Sequence, residues 1–174
     1  MKYDRYLERA IESGATHAAV VDTEKVVTAN WVRLKCQYGC STYGTRLTCP
    51  PYSPAPDYTG RMLKEYERGL LLLYRVEAKE EKKRRKAVRN AVADLEREMF
   101  LDGYYKAYGM GAGPCNLCRN CDLTAPCKHP DRARPSMEAS GIDVYQTARY
   151  AGFEMEVVRS WHDTCALCAL VLIE

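Results

Sequence analysis

The chain has 174 residues, of which 47% are apolar and 28% charged, a composition typical of a globular protein rather than a disordered one. Its 26 basic and 23 acidic residues give a net charge of +3, which argues against a nucleic-acid partner held by charge alone. The first residues lack a signal peptide's apolar run, and the longest apolar stretches, 70–74 and 166–173, are shorter than the roughly 20 residues of a membrane span. We therefore expect a soluble cytoplasmic protein with one domain, residues 1–174.

The first third of the chain contains a helix, a strand and a long loop. Apolar residues at helical spacing predict an amphipathic helix over residues 2–13, which Gly14 ends. Residues 17–21 (HAAVV) predict a short buried strand, whereas residues 25–35 fit neither period. Residues 36–58 form a loop rich in Cys, Gly, Pro and Tyr. A loop that long within a compact domain needs something to organise it, and a metal site would do so.

The middle of the chain alternates between helix and strand. A helix capped by Asp57 or Thr59 and ending at Arg68 precedes a predicted strand, LLLLYRVE. The clearest helix covers residues 79–101. Its run KKRRK could bind nucleic acid, but we favour a solvated helix face because no aromatic residue or motif accompanies it.

The last third begins with a short predicted strand at 104–109 and a second cysteine-rich loop over residues 110–135. A helix near 141–151 and strands at 153–158 and 166–173 follow. Because strands and helices alternate, we predict an α/β fold: a single layered domain with a mixed sheet, flanking helices and two cysteine-rich metal-binding loops.

The second loop carries the strongest chemical signal, GAGPCNLCRNCDLTAPCKHP. Cys115, Cys118 and Cys121 follow C-x2-C-x2-C, and Cys127 comes five residues later. Three thiolates at such short intervals suit the corners of an iron–sulfur cube, whereas zinc sites typically take two ligands from each of two separate turns. We therefore predict a [4Fe–4S] cluster here. A zinc site formed by these four cysteines, or with His129, is the alternative.

The first loop reads CQYGCSTYGTRLTCPPYSP and supplies Cys36, Cys40 and Cys49, enough for a second [4Fe–4S] cluster. Its fourth ligand could be Cys127, since the last cysteine of such a run can bind a neighbouring cluster. It could also come from Cys165 and Cys168, a C-x2-C pair before the last strand. If no thiolate completes the cluster, one iron is open to a substrate.

Two further interpretations concern the cysteines. Nine cysteines could form disulfides, but their odd number, their short gaps and the missing secretory signal favour metal. Cys165 and Cys168 stand among alanines and leucines, so simple burial competes equally with metal binding for this pair.

Four segments of the chain carry a family resemblance. They are VRLKCQYGC, YGTRLTCPPYSP, GAGPCNLCRNCDLTAPCKHPDRARPSMEASGIDV and LVLIE. Together they resemble the predicted metal-binding proteins grouped as domain of unknown function 2284. The resemblance implies cysteine-bound metal, of the iron–sulfur type, in a microbial cytoplasm, and it implies no particular reaction. The matching positions are Cys36, Cys40, Cys49, Cys115, Cys118, Cys121 and Cys127. The matching segment 134–139 either packs against the second loop or brings Glu138 near a cluster.

Three functions compete on these grounds. The first is a redox module that exchanges electrons with a partner protein, since no recognisable substrate motif accompanies the cysteine loops. The second is an enzyme in which a three-cysteine cluster leaves an open iron for a small-molecule substrate. The third is a zinc-stabilised binding module.

Overall fold

One antiparallel sheet organises the chain, and the computed structural model describes it for residues 2–174, with Met1 lying outside. Its strands are β1 (His17–Asp22), β2 (Arg68–Glu77), β3 (Tyr108–Met110) and β4 (Thr164–Leu172). They lie in the order β1-β2-β4-β3. The two central strands carry continuous apolar runs, 69–74 in β2 and 165–172 in β4, because both of their faces are covered there.

Five helices flank this sheet. They are α1 (Asp4–Glu12), α2 (Asn30–Gly39), α3 (Pro56–Leu63), α4 (Glu81–Leu101) and α5 (Val144–Tyr150). Helices α1 and α4 cover one face of the sheet, with side chains such as Tyr6 and Val92 packed on Leu72. The other face is covered by α3, α5 and the segment before α5, where Met137 and Ile142 are fully buried. The sheet therefore has a hydrophobic core on each side.

The predicted α/β class is confirmed, although all three strand pairings are antiparallel where a mixed sheet was predicted. The direction in which two strands pair is set by the path of the chain between them, and the composition of each strand carries no record of it. None of the helices in residues 2–174 is long and apolar enough to cross a membrane.

Most predicted elements occur, with four differences. The ambiguous region 25–35 contains the start of α2, which runs into the first cysteine loop as far as Gly39, and α3 ends at Leu63 rather than at Arg68. The strand predicted at 104–109 is reduced to Tyr108–Met110. The strand predicted at 153–158 was wrong, because this segment lies in no strand of the sheet. Its side chains Phe153 and Met155 pack on the core, so its alternation reflects burial rather than strand pairing.

Three hydrogen bonds hold the cysteine loops at the same end of the domain. The second loop is closed at its base, where the Gly111 amide donates to Pro135 and the Met137 amide donates to Gly111. The first loop meets the segment that follows, because the Ser53 hydroxyl donates to the Ala139 carbonyl over 2.6 Å. Residues 136–139 therefore lie between the two loops.

Candidate metal centre

The second cysteine loop is an irregular segment whose two ends are bonded to a side chain of α4. Arg134, at its end, forms an ion pair with Glu96 of α4, in which its Nε donates to Glu96 Oε2 over 2.7 Å. The same carboxylate oxygen accepts the Gly109 amide at 2.7 Å. Both ends of the loop are thus held by one carboxylate, and its cysteines lie in the segment between them.

The four cysteines of this loop, Cys115, Cys118, Cys121 and Cys127, line one small cavity of about 20 Å³. His129 and residues 46–48 of the first loop complete its wall. The four cysteine residues therefore border a common space. However, no group of three or more His, Cys, Asp or Glu side chains in residues 2–174 is arranged to hold a single metal ion. Four thiols around one apolar space are a donor set that fits a cysteine-held metal group.

Backbone amides point at two of these sulfurs. The Leu47 amide lies 3.5 Å from Cys121 Sγ, and the His129 amide lies 3.4 Å from Cys127 Sγ. Amide hydrogens directed at sulfur stabilise the thiolate form and tune any metal that the thiolate binds. One of the two donors comes from the first loop, so the site depends on both loops.

Arg46 fastens the first loop to the second. Its guanidinium donates to the Cys118 carbonyl over 2.9 Å and to the Arg119 carbonyl over 3.2 Å. The fork of a guanidinium group suits two neighbouring carbonyls, and it fixes the register of the two loops. Arg46 also lies in the wall of both cysteine cavities.

The first loop brings its three cysteines together around α2. Cys36 lies in the last turn of that helix, Cys40 follows its end, and Cys49 is buried further along. The Thr42 hydroxyl lies 3.0 Å from Cys40 Sγ and 3.9 Å from Cys49 Sγ, so it bridges these two thiols. Burial raises the pKa of the Cys36 and Cys49 thiols above the ordinary value, which keeps them protonated until a metal displaces the proton.

These three cysteines line a much larger cavity, of about 540 Å³. Cys115 of the second loop also contributes to its wall, so this thiol is available to either site. The remaining wall includes three charged side chains, Lys82 and Arg85 from the start of α4 and Glu138 from the segment between the loops. Seven cysteines therefore converge on two adjacent cavities.

The Cys165–Cys168 pair is not brought together as the C-x2-C spacing suggested. The pair lies inside β4, where residues three apart point to opposite faces of the sheet. Cys165 packs on the α4 side, whereas Cys168 is buried in the other core, with its thiol 3.4 Å from the sulfur of Met155. Burial raises the pKa of the Cys168 thiol well above its usual range. The two thiols do not form a chelating pair, and neither lines a cysteine cavity.

Sequence reasoning missed the charged residues that complete the site. Arg46 lies in the motif YGTRLTC, in which only the cysteine has a recognisable metal-binding pattern, and Arg85 belongs to the run KKRRK, predicted to be a solvated face. Four residues of that run are exposed, but Arg85 is half-buried and paired with Glu81. Five basic residues at the start of a helix are unusual, because the helix dipole favours acidic residues there. This feature of the sequence could have indicated that one of the five has a specific role.

Comparison with known proteins agrees with the chemistry of these two cavities. The model of the family described as predicted metal-binding protein (DUF2284) matches residues 19–173, nearly the whole chain and both cysteine loops. Comparisons with curated proteins and with solved structures found no significant match. The chain therefore belongs to the DUF2284 family of predicted metal-binding proteins.

Proposed function

We propose that this protein binds two [4Fe–4S] clusters through its cysteine loops and that it carries out redox chemistry in the cytoplasm. The observation that carries the proposal is the second loop, where four cysteines at C-x2-C-x2-C-x5-C spacing line one small apolar cavity. A cluster held there by Cys115, Cys118, Cys121 and Cys127 would supply one-electron transfer to and from a redox partner. The amides of Leu47 and His129 would stabilise its sulfurs.

Metal analysis of protein purified without oxygen tests this proposal. We expect iron and acid-labile sulfide in equal amounts, about eight of each per chain for two clusters, and an EPR signal after reduction. The variant Cys118→Ala should lose about half of the iron. The matched control Cys165→Ala, which changes a thiol outside both cavities, should keep it. Colourless protein with stoichiometric zinc would reject the proposal in favour of a zinc-stabilised binding module.

A second candidate function is enzymatic, and the 540 Å³ cavity at the first loop favours it. A cluster held by only Cys36, Cys40 and Cys49 would offer a Lewis-acidic iron to a small molecule. The cavity lies within the usual range for small-molecule sites, roughly 300–1,000 Å³. The variant Cys115→Ala tests whether the first cluster has a fourth thiolate or an open iron. If Cys115 completes the first cluster, the signal of that cluster changes; if the site is a three-cysteine site, only the second cluster is affected.

A further inference from the structure

We propose that the exposed basic residues at the start of α4 form a docking surface for an acidic one-electron carrier protein. This surface, the basic patch, consists of Lys82, Lys83, Arg84 and Lys86. The inference rests on the proposed function, because a protein that carries out redox chemistry exchanges electrons with a partner. It assigns the chemistry of that partner and the place where it binds.

The charges of the basic patch are not compensated within the part of the chain that the structure describes. Its four side chains are exposed and form no ion pair within residues 2–174, whereas Arg85 of the same run pairs with Glu81. The patch lies in the first two turns of α4, where the helix dipole disfavours cations. Lys82 and Lys86 are four residues apart, so their like charges repel each other. These charges destabilise the helix start, which indicates that they serve to bind a partner.

The basic patch borders the cavity of the first cysteine loop. Lys82 lines that cavity beside Arg85, whereas the other three patch residues lie outside it, around a separate depression on the surface of α4. Cations that only balanced the charge of a cluster would lie within the cavity. The patch instead extends from the rim of the cavity over the neighbouring surface, as a surface covered by a partner does.

The charge of the whole chain is distributed in the same sense. The two cysteine loops and the start of α4, residues 36–58, 110–135 and 81–89, contain 11 basic and 4 acidic residues, a net charge of +7. The rest of the chain contains 15 basic and 19 acidic residues, a net charge of −4. Such an uneven distribution orients an approaching charged partner before contact and speeds association. The positive part faces a negatively charged partner.

An acidic carrier protein fits this patch better than a nucleic acid does. The patch offers four cations, fewer than the roughly 6–10 phosphate contacts of a typical DNA-binding protein. Electron-transfer partners form small, charge-steered interfaces of less than about 1,200 Å². Docking here places the carrier beside the cavity of the first loop. One electron then passes between the two proteins: the donor is oxidised by one electron, the acceptor is reduced by one, and no atom moves.

Isothermal titration calorimetry of the anaerobically purified protein with oxidised plant-type ferredoxin, an acidic carrier, tests the inference. We expect saturable binding that weakens about tenfold when salt rises from about 20 to about 200 mM. Cytochrome c, a basic carrier, should not bind. The double variant Lys83→Glu, Lys86→Glu should weaken ferredoxin binding by about thirtyfold or more, since two attractive charges become repulsive. Its unfolding midpoint should not fall, because acidic residues are favoured at a helix start.

The matched control is the double variant Arg61→Glu, Lys64→Glu, which changes the net charge by the same amount. Both residues are exposed and border one cavity with Arg68, the first residue of β2. The basic patch follows Glu77, the last residue of that strand. A strand of this length separates the two sites by about 30 Å, so the control should leave ferredoxin affinity within about threefold.

Equal weakening by the two double variants, or equal binding of ferredoxin and cytochrome c, would overturn the assignment. Tighter binding of a short DNA or RNA duplex than of ferredoxin would also overturn it, because the patch would then belong to a nucleic-acid site. Loss of iron from Lys83→Glu, Lys86→Glu would show that these lysines balance the charge of a cluster, and the assignment would fail.

Iron and sulfide are measured on the same samples, which separates this inference from the proposed function. Protein with full clusters that binds no ferredoxin would refute the docking surface and leave the proposed function intact. Protein without iron would refute the proposed function and, with it, the role of an electron carrier at this surface.

Discussion

The ion pair between Glu96 and Arg134 offers a direct measure of how firmly the second cysteine loop is held. Its side chains are only 14% and 16% exposed, and Glu96 also accepts the amide of Gly109. In Glu96→Gln the glutamine side chain has only one acceptor oxygen, and that oxygen is uncharged. Its NH2 group is itself a donor and would lie against the donors of Gly109 or Arg134. Arg134 then keeps a nearly buried positive charge without its carboxylate. Breaking a fully buried pair costs about 3–5 kcal/mol, so we expect a loss of about 2–3 kcal/mol for this nearly buried one.

For a domain of this size, that loss corresponds to a fall of about 5–10 °C in the unfolding midpoint. The measurement is thermal unfolding followed by circular dichroism under anaerobic conditions, on samples matched for metal content. Asp94→Asn is the matched control because Asp94 pairs with Arg132 over 2.7 Å and also joins the second loop to α4. This second pair is 40% and 56% exposed, so its removal should cost less than about 1 kcal/mol. Equal shifts in the two variants would refute the reasoning from burial.

Two further predictions test the fold and the ligand set. Gly141→Ala should destabilise the protein by about 2–4 kcal/mol, because its φ is +79° and the new Cβ would lie 2.5 Å from the ring and 2.9 Å from the Cα of Pro56. The control Gly152→Ala has a similar φ of +77° but open space around it, so it should cost only about 1 kcal/mol. Denaturant unfolding that finds Gly152→Ala the more destabilised variant would contradict this prediction. Cys168→Ala should lose about 1 kcal/mol of stability and keep its iron, because Cys168 is buried in the core outside both cavities. Cys121→Ala should lose about four iron atoms per chain, as measured by metal analysis. An equal loss of iron in the two variants would contradict the assignment of Cys121 as a ligand and Cys168 as a core residue.

The local elements were predictable from the sequence because their signals are local. The 3.6-residue period located α1 and α4, and short apolar runs located β1, β2 and β4, since each signal depends only on which residues of one segment face the core. The convergence of Cys115, Cys118, Cys121 and Cys127 on one cavity was predictable for the same reason. Their spacing keeps them within one short turn of chain, wherever that turn lies.

The β4 cysteines show where local reasoning ended. The strand predicted at 166–173 left Cys165 in the segment before it, where a C-x2-C pair at the strand start can turn around a metal. The strand begins at Thr164, two residues earlier, because Thr164 and Cys165 pair with the end of the long β2 strand. That small shift puts the two thiols on opposite faces, so a boundary set by a distant strand changed the chemistry of the pair.

By itself, the sequence determined the fold class, the two cysteine loops and membership of a metal-binding family, because each of these is written in short runs of residues. The tertiary structure alone decided that the two loops share a wall, that Cys115 borders both cavities, and that Arg46, Arg85 and Glu138 face one space. Residues 46, 85 and 138 are separated by about forty to fifty positions along the chain. Only packing across the end of the sheet brings their charges together, and no local pattern records that packing.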